Sequence, residues 1–149
     1  MGAFTIHSTN HTSFTVSDHD RTVEFFTRGL GFELLSKAPR DRQAIEHITG
    51  VPGADIMVAF VQGPGHRIEL IEYLSPDERQ AKALRPCDTG FAHVAFDVDD
   101  IDAAISAARE YDVKPINGPW VIDKGPNTGR RVAYLRTWDG ITIELIEAR

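Results

Sequence analysis

Two stretches decide the fold: His11-Thr12-Ser13-Phe14-Thr15-Val16-Ser17-Asp18-His19-Asp20 and His93-Val94-Ala95-Phe96-Asp97-Val98-Asp99-Asp100-Ile101-Asp102. They align without a gap, so that His11 matches His93, Phe14 matches Phe96, Val16 matches Val98 and Asp18 matches Asp100. In the first, Thr12, Phe14 and Val16 alternate with His11, Ser13 and Thr15, the period of a half-buried strand. In the second, Val94, Phe96 and Val98 oppose His93, Ala95 and Asp97. Each strand thus has an apolar face for packing and a small, polar face that carries a histidine.

Working outward, a second match follows in each half: Arg67-Ile68-Glu69-Leu70-Ile71-Glu72 and Thr142-Ile143-Glu144-Leu145-Ile146-Glu147. The offset is slightly shorter there, so the chain reads as a duplicated module with a more compact second copy. Asp18 is placed to cap a helix over Arg21–Arg28, ended by Gly29 and Gly31. Ile101, Ala104, Ile105 and Ala108 form the stripe of a second amphipathic helix. Further strands are predicted at Phe32–Lys37, Asp55–Gln62, Arg67–Leu74, Trp120–Asp123, Val132–Thr137 and Ile141–Glu147, with Pro64-Gly65 and Asp139-Gly140 as hairpin turns. Lys37–Ala54 is a polar excursion, read as a lid or a short helix. The expected organisation is one α+β domain over residues 1–149, made of a βαβββ module over 5–75, a connector over 76–89 with a short helix near Glu78–Leu84, and a second βαβββ module over 90–149.

Composition narrows the function classes. The 149 residues carry 16 Lys+Arg against 22 Asp+Glu, a formal charge of −6 that suits neither a nucleic-acid backbone nor an anionic membrane surface. Cys87 is the only cysteine, so no intrachain disulfide and no cysteine-held zinc is possible. The start of the chain has no signal-peptide pattern, and no run of eighteen apolar residues spans a bilayer. A cytoplasmic protein with a small-molecule ligand is the expectation.

Strand period selects the candidate chemistry. Glu69 shares its face with Ile71 and Tyr73, and Glu144 with Thr142 and Ile146, whereas Glu72 and Glu147 point the other way. A carboxylate facing an interior is costly unless it is paired, protonated or bound to a metal. His11, Glu69, His93 and Glu144 therefore form a mixed N/O donor set suited to one divalent ion such as Zn, Ni, Co, Mn or Fe. Such an ion leaves coordination positions open for substrate oxygens. His7 and His47 have no assigned role; His19, beside the helix cap, and His66, in a turn, are expected to be solvated.

The chain resembles the vicinal oxygen chelate superfamily, the glyoxalase/bleomycin resistance protein/dioxygenase group. The resemblance rests on His11 to Asp18, Phe25-Phe26-Thr27-Arg28-Gly29-Leu30-Gly31-Phe32, Arg67 to Tyr73, Gly90 to Asp100 and Asp139 to Ile146, in that order and spacing. It implies two βαβββ modules whose mixed sheets form a cup around one metal ion, with ligands from the first and last strands of each module, at His11, Glu69, His93 and Glu144. One departure is Thr137-Trp138-Asp139-Gly140, where the family often has Asp-Pro-Asp-Gly; Trp138 bears on substrate shape.

The activity that the resemblance implies resembles lactoylglutathione lyase or methylmalonyl-CoA epimerase: the ion polarises a carbonyl, stabilises an enolate, and a carboxylate moves the neighbouring proton. Glu144 is the first choice of base and Glu69 the second. A ferrous dioxygenase, with two histidines and one carboxylate, is disfavoured by the fourth ligand at Glu69. A drug-sequestering resistance protein is disfavoured by the complete ligand set. Arg130 and Arg131, after the Gly125–Gly129 loop, are candidate clamps for a substrate anion, and Tyr73, Trp120, Tyr134 and Trp138 candidate aromatic lining. Phe25-Phe26 and the sheet edges suggest a homodimer.

Overall fold

The computed structural model describes residues 2–148 and divides the chain into two compact units, residues 1–78 and 79–149. The first unit runs β1 (Thr12–Thr15), α1 (His19–Glu24), β2 (Glu33–Pro39), α2 (Arg42–Thr49), β3 (Asp55–Gly63) and β4 (His66–Ser75). Its sheet has the order β1-β4-β3-β2, with β1 parallel to β4 and the other pairs antiparallel. The second unit runs β5 (His93–Val98), α3 (Ile101–Arg109), β6 (Lys114–Pro115), β7 (Trp120–Val121), β8 (Arg131–Arg136) and β9 (Thr142–Glu147). Its sheet has the order β5-β9-β8-β6, with β7 also paired to β8 and β5 parallel to β9. Each unit is α+β with its first and last strands side by side; the first inserts α2 into the β-α-β-β-β order, and the second has one strand more than that order, the two-residue β6. Among the described residues no helix is long and apolar enough to cross a membrane.

Each module's first helix starts on an aspartate in the same backbone conformation. Asp18 has φ −136° and ψ 100° and accepts from the Arg21 amide; Asp100 has φ −137° and ψ 101° and accepts from the Ala103 amide. The duplication thus extends to the capping geometry. Apolar strand faces then pack beneath the helices. In the first unit Phe25, Phe26, Val61, Ile68 and Leu70 are fully buried; in the second, Ile101 and Ala108 of α3 join Val113, Leu135, Ile143 and Leu145. Burial of this apolar surface stabilises each unit and leaves the opposite sheet face free for polar groups.

Several expectations need correction. Residues 78–84 are not helical: between Pro76 and Pro86 they offer only Leu84 as a large apolar anchor, too little to offset helix nucleation. The Lys37–Ala54 excursion holds the short helix α2, capped by Asp41 at one end and by Gly50 in the left-handed region at the other. After Glu24 the first helix widens into a π-helical turn over Phe25–Gly29. That turn carries Phe25 and Phe26 into the core, so the pair does not form a surface for a second copy.

His19 is not solvated; it is 3% exposed, and its Nε2 donates to the Leu70 carbonyl of β4 at 3.2 Å. As the first residue of α1 it folds under the helix onto the sheet instead of pointing outward. Burial pushes its pKa down, despite the opposing hydrogen bond to Leu70. His66 opens β4, and its Nε2 meets the Thr12 hydroxyl at 2.8 Å, tying the hairpin to β1.

Candidate functional site

In the first unit, β1 and β4 run parallel with Ser13 beside Glu69. His11 immediately precedes β1, and its Nε2 lies 3.6 Å from Glu69 Oε1. The Ser13 hydroxyl donates to the same carboxylate oxygen at 2.9 Å. On the other side of the ring, His11 Nδ1 lies 2.6 Å from Asn10 Oδ1. That oxygen can only accept, so Nδ1 is the donor in this contact and Nε2 is the ring nitrogen that faces Glu69. Across the β3–β4 ladder Phe60 stands opposite Glu69 and meets His11 edge to face, with ring centroids 5.4 Å apart.

The second unit repeats this arrangement. Ala95 lies beside Glu144 on the β5–β9 ladder, and His93 Nε2 approaches Glu144 Oε2 to 2.9 Å. Tyr134 of β8 stands opposite Glu144, where the first unit has Phe60. Its ring centroid is 5.0 Å from that of His93, and Phe91 stacks on the same histidine at 5.9 Å. Burial, and then the negative charge of Glu144, raise the Tyr134 pKa, so its phenol stays neutral.

Each unit therefore offers one imidazole nitrogen and one carboxylate oxygen, partly shielded but open to solvent; the side chains are 31% and 17% exposed in the first pair and 31% and 18% in the second. This donor chemistry fits a borderline divalent ion. Among the described residues no group of three or more His, Cys, Asp or Glu side chains is drawn together for a metal, so each unit by itself presents a two-donor set.

The remaining candidates separate by face. Arg130 Nη1 reaches Asp97 at 3.2 Å, and Asp97 follows His93 and Ala95 on the polar face of β5. Arg131, the next residue, points the other way. Its guanidinium forks onto Glu147, with Nε to Oε2 and Nη2 to Oε1 both at 2.8 Å, and reaches Asp102 at 2.9 Å. These bonds hold the Arg131 pKa up and press that of Glu147 down. Arg131 thus joins β8, β9 and the start of α3, and the structure does not bring it to the His93–Glu144 face. Tyr73, half-buried on β4, shares the Glu69 face and pairs with Ile56. Trp138 lies half-buried between β8 and β9, beside the Asp139-Gly140 turn, where Gly140 has φ 76°. Trp120 is 75% exposed.

Asn10 and Phe60 lie outside the candidates that strand period selects. Asn10 precedes the periodic stretch, and Phe60 becomes visible only once β3–β4 register is fixed.

Comparisons with known proteins give the family and the fold. The profile of the Glyoxalase/Bleomycin resistance protein/Dioxygenase superfamily matches residues 8–145. A 2-epi-5-epi-valiolone epimerase from Actinomyces sp. is 35% identical over 150 residues, covering 97% of this chain and 80% of the relative. A probable lactoylglutathione lyase from Vibrio parahaemolyticus is 29% identical over 143 residues, covering 92% and 88%. The crystal structure of a glyoxalase family protein from Bacillus cereus superposes with a TM-score of 0.84 at 26% identity, over 99% of this chain and 97% of that one.

Proposed function

Because the chain belongs to the glyoxalase/bleomycin resistance protein/dioxygenase superfamily, we propose that it is a metal-dependent enzyme that moves a proton at a carbon next to a carbonyl, as a lyase or an epimerase. The observation that carries this reading is the duplicated pair: His11 with Glu69 and His93 with Glu144, each an imidazole facing a carboxylate at equivalent strand positions. In this reading those four side chains are the ligands of a divalent ion, brought together within one chain or across two copies of it. The relatives named as an epimerase and a lyase favour proton transfer as the chemistry.

Held by those side chains, a divalent ion would supply Lewis-acid polarisation of a substrate carbonyl. Glu144 takes the proton from the adjacent carbon and returns it. It is the better base of the two because Glu69 is already held by the Ser13 hydroxyl, whereas among the described residues the hydrogen-bond partner of Glu144 is His93. The raised Tyr134 phenol beside it remains an uncharged wall and does not compete for the proton.

The test is an assay of protein reconstituted with Ni, Co, Zn, Mn or Fe(II) against the hemithioacetal of methylglyoxal, methylmalonyl-CoA and a cyclic polyhydroxy ketone. Exchange of the α-proton with deuterated solvent is followed by NMR. Exchange with at least one class, lost in Glu144→Gln, is expected. Oxygen uptake on a catechol with no proton exchange would replace this reading with a dioxygenase.

A further inference from the structure

The polar face of the second unit's sheet has one cation with no counter-charge. Register places His93, Thr142 and Arg136 in a single row across β5, β9 and β8, one row from Glu144 and Tyr134. Arg85, Arg130 and Arg131 of this unit each have a carboxylate partner. Arg136 has none among the described residues; its Nε is buried and makes no hydrogen bond. Beside it, the Thr142 hydroxyl is also buried without a partner, in a residue that is 0% exposed. A guanidinium N–H left unpaired in a partly buried place costs free energy that an oxygen acceptor would recover.

The matching position in the first unit is different. There Gln62 stands two residues beyond Phe60, as Arg136 stands two residues beyond Tyr134. Its amide nitrogen is fully used, donating to the Gly63 carbonyl at 2.7 Å and the His66 carbonyl at 2.9 Å. In that row the first unit carries Arg67 at the position of Thr142, its guanidinium 5.9 Å over the Phe60 ring, so the duplication holds for histidine, glutamate and aromatic ring and breaks in which strand carries the cation and in the buried Nε that Arg136 leaves unpaired. A substrate has a reacting end and a tail, and such an asymmetry lets a site bind it in one orientation.

We propose that Arg136, assisted by the Thr142 hydroxyl, binds an oxyanion on the substrate, so that the substrate of the proton-transfer site is a small hydroxy carbonyl compound bearing a carboxylate or phosphate. This inference rests on the function proposed above. Arg136 is two strands from His93, so about 10 Å separates their backbones at the usual strand spacing. After the reach of the arginine side chain, only a few bonds lie between the anionic group and the reacting carbonyl. Arg136 is a specificity-determining residue here, holding the tail through charge-assisted hydrogen bonds and leaving the proton to Glu144.

Two measurements test it in wild type, Arg136→Lys and Arg136→Gln, with unfolding profiles checked for all three. First, inorganic phosphate and acetate are titrated separately into metal-free protein while the Arg136 Nε–H resonance is followed, identified by its absence in Arg136→Gln. A saturable shift with either ion is expected, and its absence with both overturns the proposal. Second, α-proton exchange by metal-loaded protein is compared for dihydroxyacetone, dihydroxyacetone phosphate and hydroxypyruvate. Wild type is expected to favour one anionic compound in kcat/KM by about 10- to 100-fold. Arg136→Gln should lose that preference through KM, with kcat little changed, and Arg136→Lys should recover part of it. The compound preferred separates phosphate from carboxylate. Exchange at equal efficiency on all three compounds would overturn the anion site and leave the proton-transfer reading standing. A saturable anion shift in protein that exchanges none of them supports the anion site and counts against the proton-transfer reading instead.

Discussion

Tyr134 stands directly across the β8–β9 ladder from Glu144 and packs its ring against His93, with centroids 5.0 Å apart. One aromatic residue thus neighbours both members of a His–Glu pair, as Phe60 does for His11 and Glu69. Such packing lowers the entropy lost when the pair takes up a ligand. Tyr134→Ala is expected to weaken divalent-ion affinity about 10-fold, in the range seen for groups that orient metal ligands. Tyr134→Phe should keep the wild-type affinity, because the ring and not the phenol does the orienting. Competition against a chromophoric chelator measures both, and a Phe variant as weak as the Ala variant would show that the hydroxyl matters.

The two helix caps give a matched pair of stability tests. Asp18 and Asp100 have nearly the same φ and ψ and each accepts one amide of the first turn. Asp18→Ala and Asp100→Ala are each expected to cost about 1 kcal/mol in urea unfolding, and the Asn variants much less. A loss in one half only would mean that the shared geometry does not carry shared energetics.

His19 makes stability depend on pH. Burial lowers its folded pKa, with Lys37 acting in the same direction and the Leu70 hydrogen bond, Glu72 and Asp20 opposing. Between the lowered folded value and the unfolded value near 6.5, the unfolded chain binds more protons than the folded one. Stability from this group is therefore fully present above about pH 6.5 and falls as pH drops through that value, by at most about 1.4 kcal/mol per pH unit. His19→Gln should flatten this part of the profile while keeping a donor for the Leu70 carbonyl. The check is unfolding by urea from pH 5 to pH 8; an unchanged slope in the variant would remove His19 as its source.

Arg130 and Arg131 are neighbours in sequence with separate tasks. Arg131 is engaged by Glu147 and Asp102, so Arg131→Met is expected to lower the melting temperature and leave divalent-ion binding unchanged. Because Arg130 lies on the His93–Glu144 face through Asp97, Arg130→Met should do the reverse, changing KM more than melting temperature. Thermal denaturation and steady-state kinetics on the same preparations separate the two.

How much of this was legible beforehand depends on range. Strand period alone put His93 and Glu144 on polar faces, because alternation is a local property that survives tertiary folding. Repetition of the pattern made the pair visible as a pair. Phe60 and the unpartnered state of Arg136 were not legible, since both depend on which residue lies across a ladder, and register is set by turns and bulges such as that between Leu34 and Ser36. His19 was misread as solvated because a helix start is polar by habit, whereas here the ring turns under α1 onto β4. The 78–84 helix was misread for the opposite reason, a local propensity with no apolar face to dock.

The central proposal is that His11, Glu69, His93 and Glu144 are ligands of a divalent ion. Its most direct test is isothermal titration of metal-free protein with Ni, Co and Zn, for wild type and for His11→Ala, Glu69→Gln, His93→Ala and Glu144→Gln. The expected result is one ion per chain in wild type, with each of the four substitutions weakening binding about 10-fold or more. Substitutions in residues 1–78 and in residues 79–149 should weaken it alike. Wild-type protein that binds none of the three ions, or four variants that bind as tightly as wild type, would contradict it.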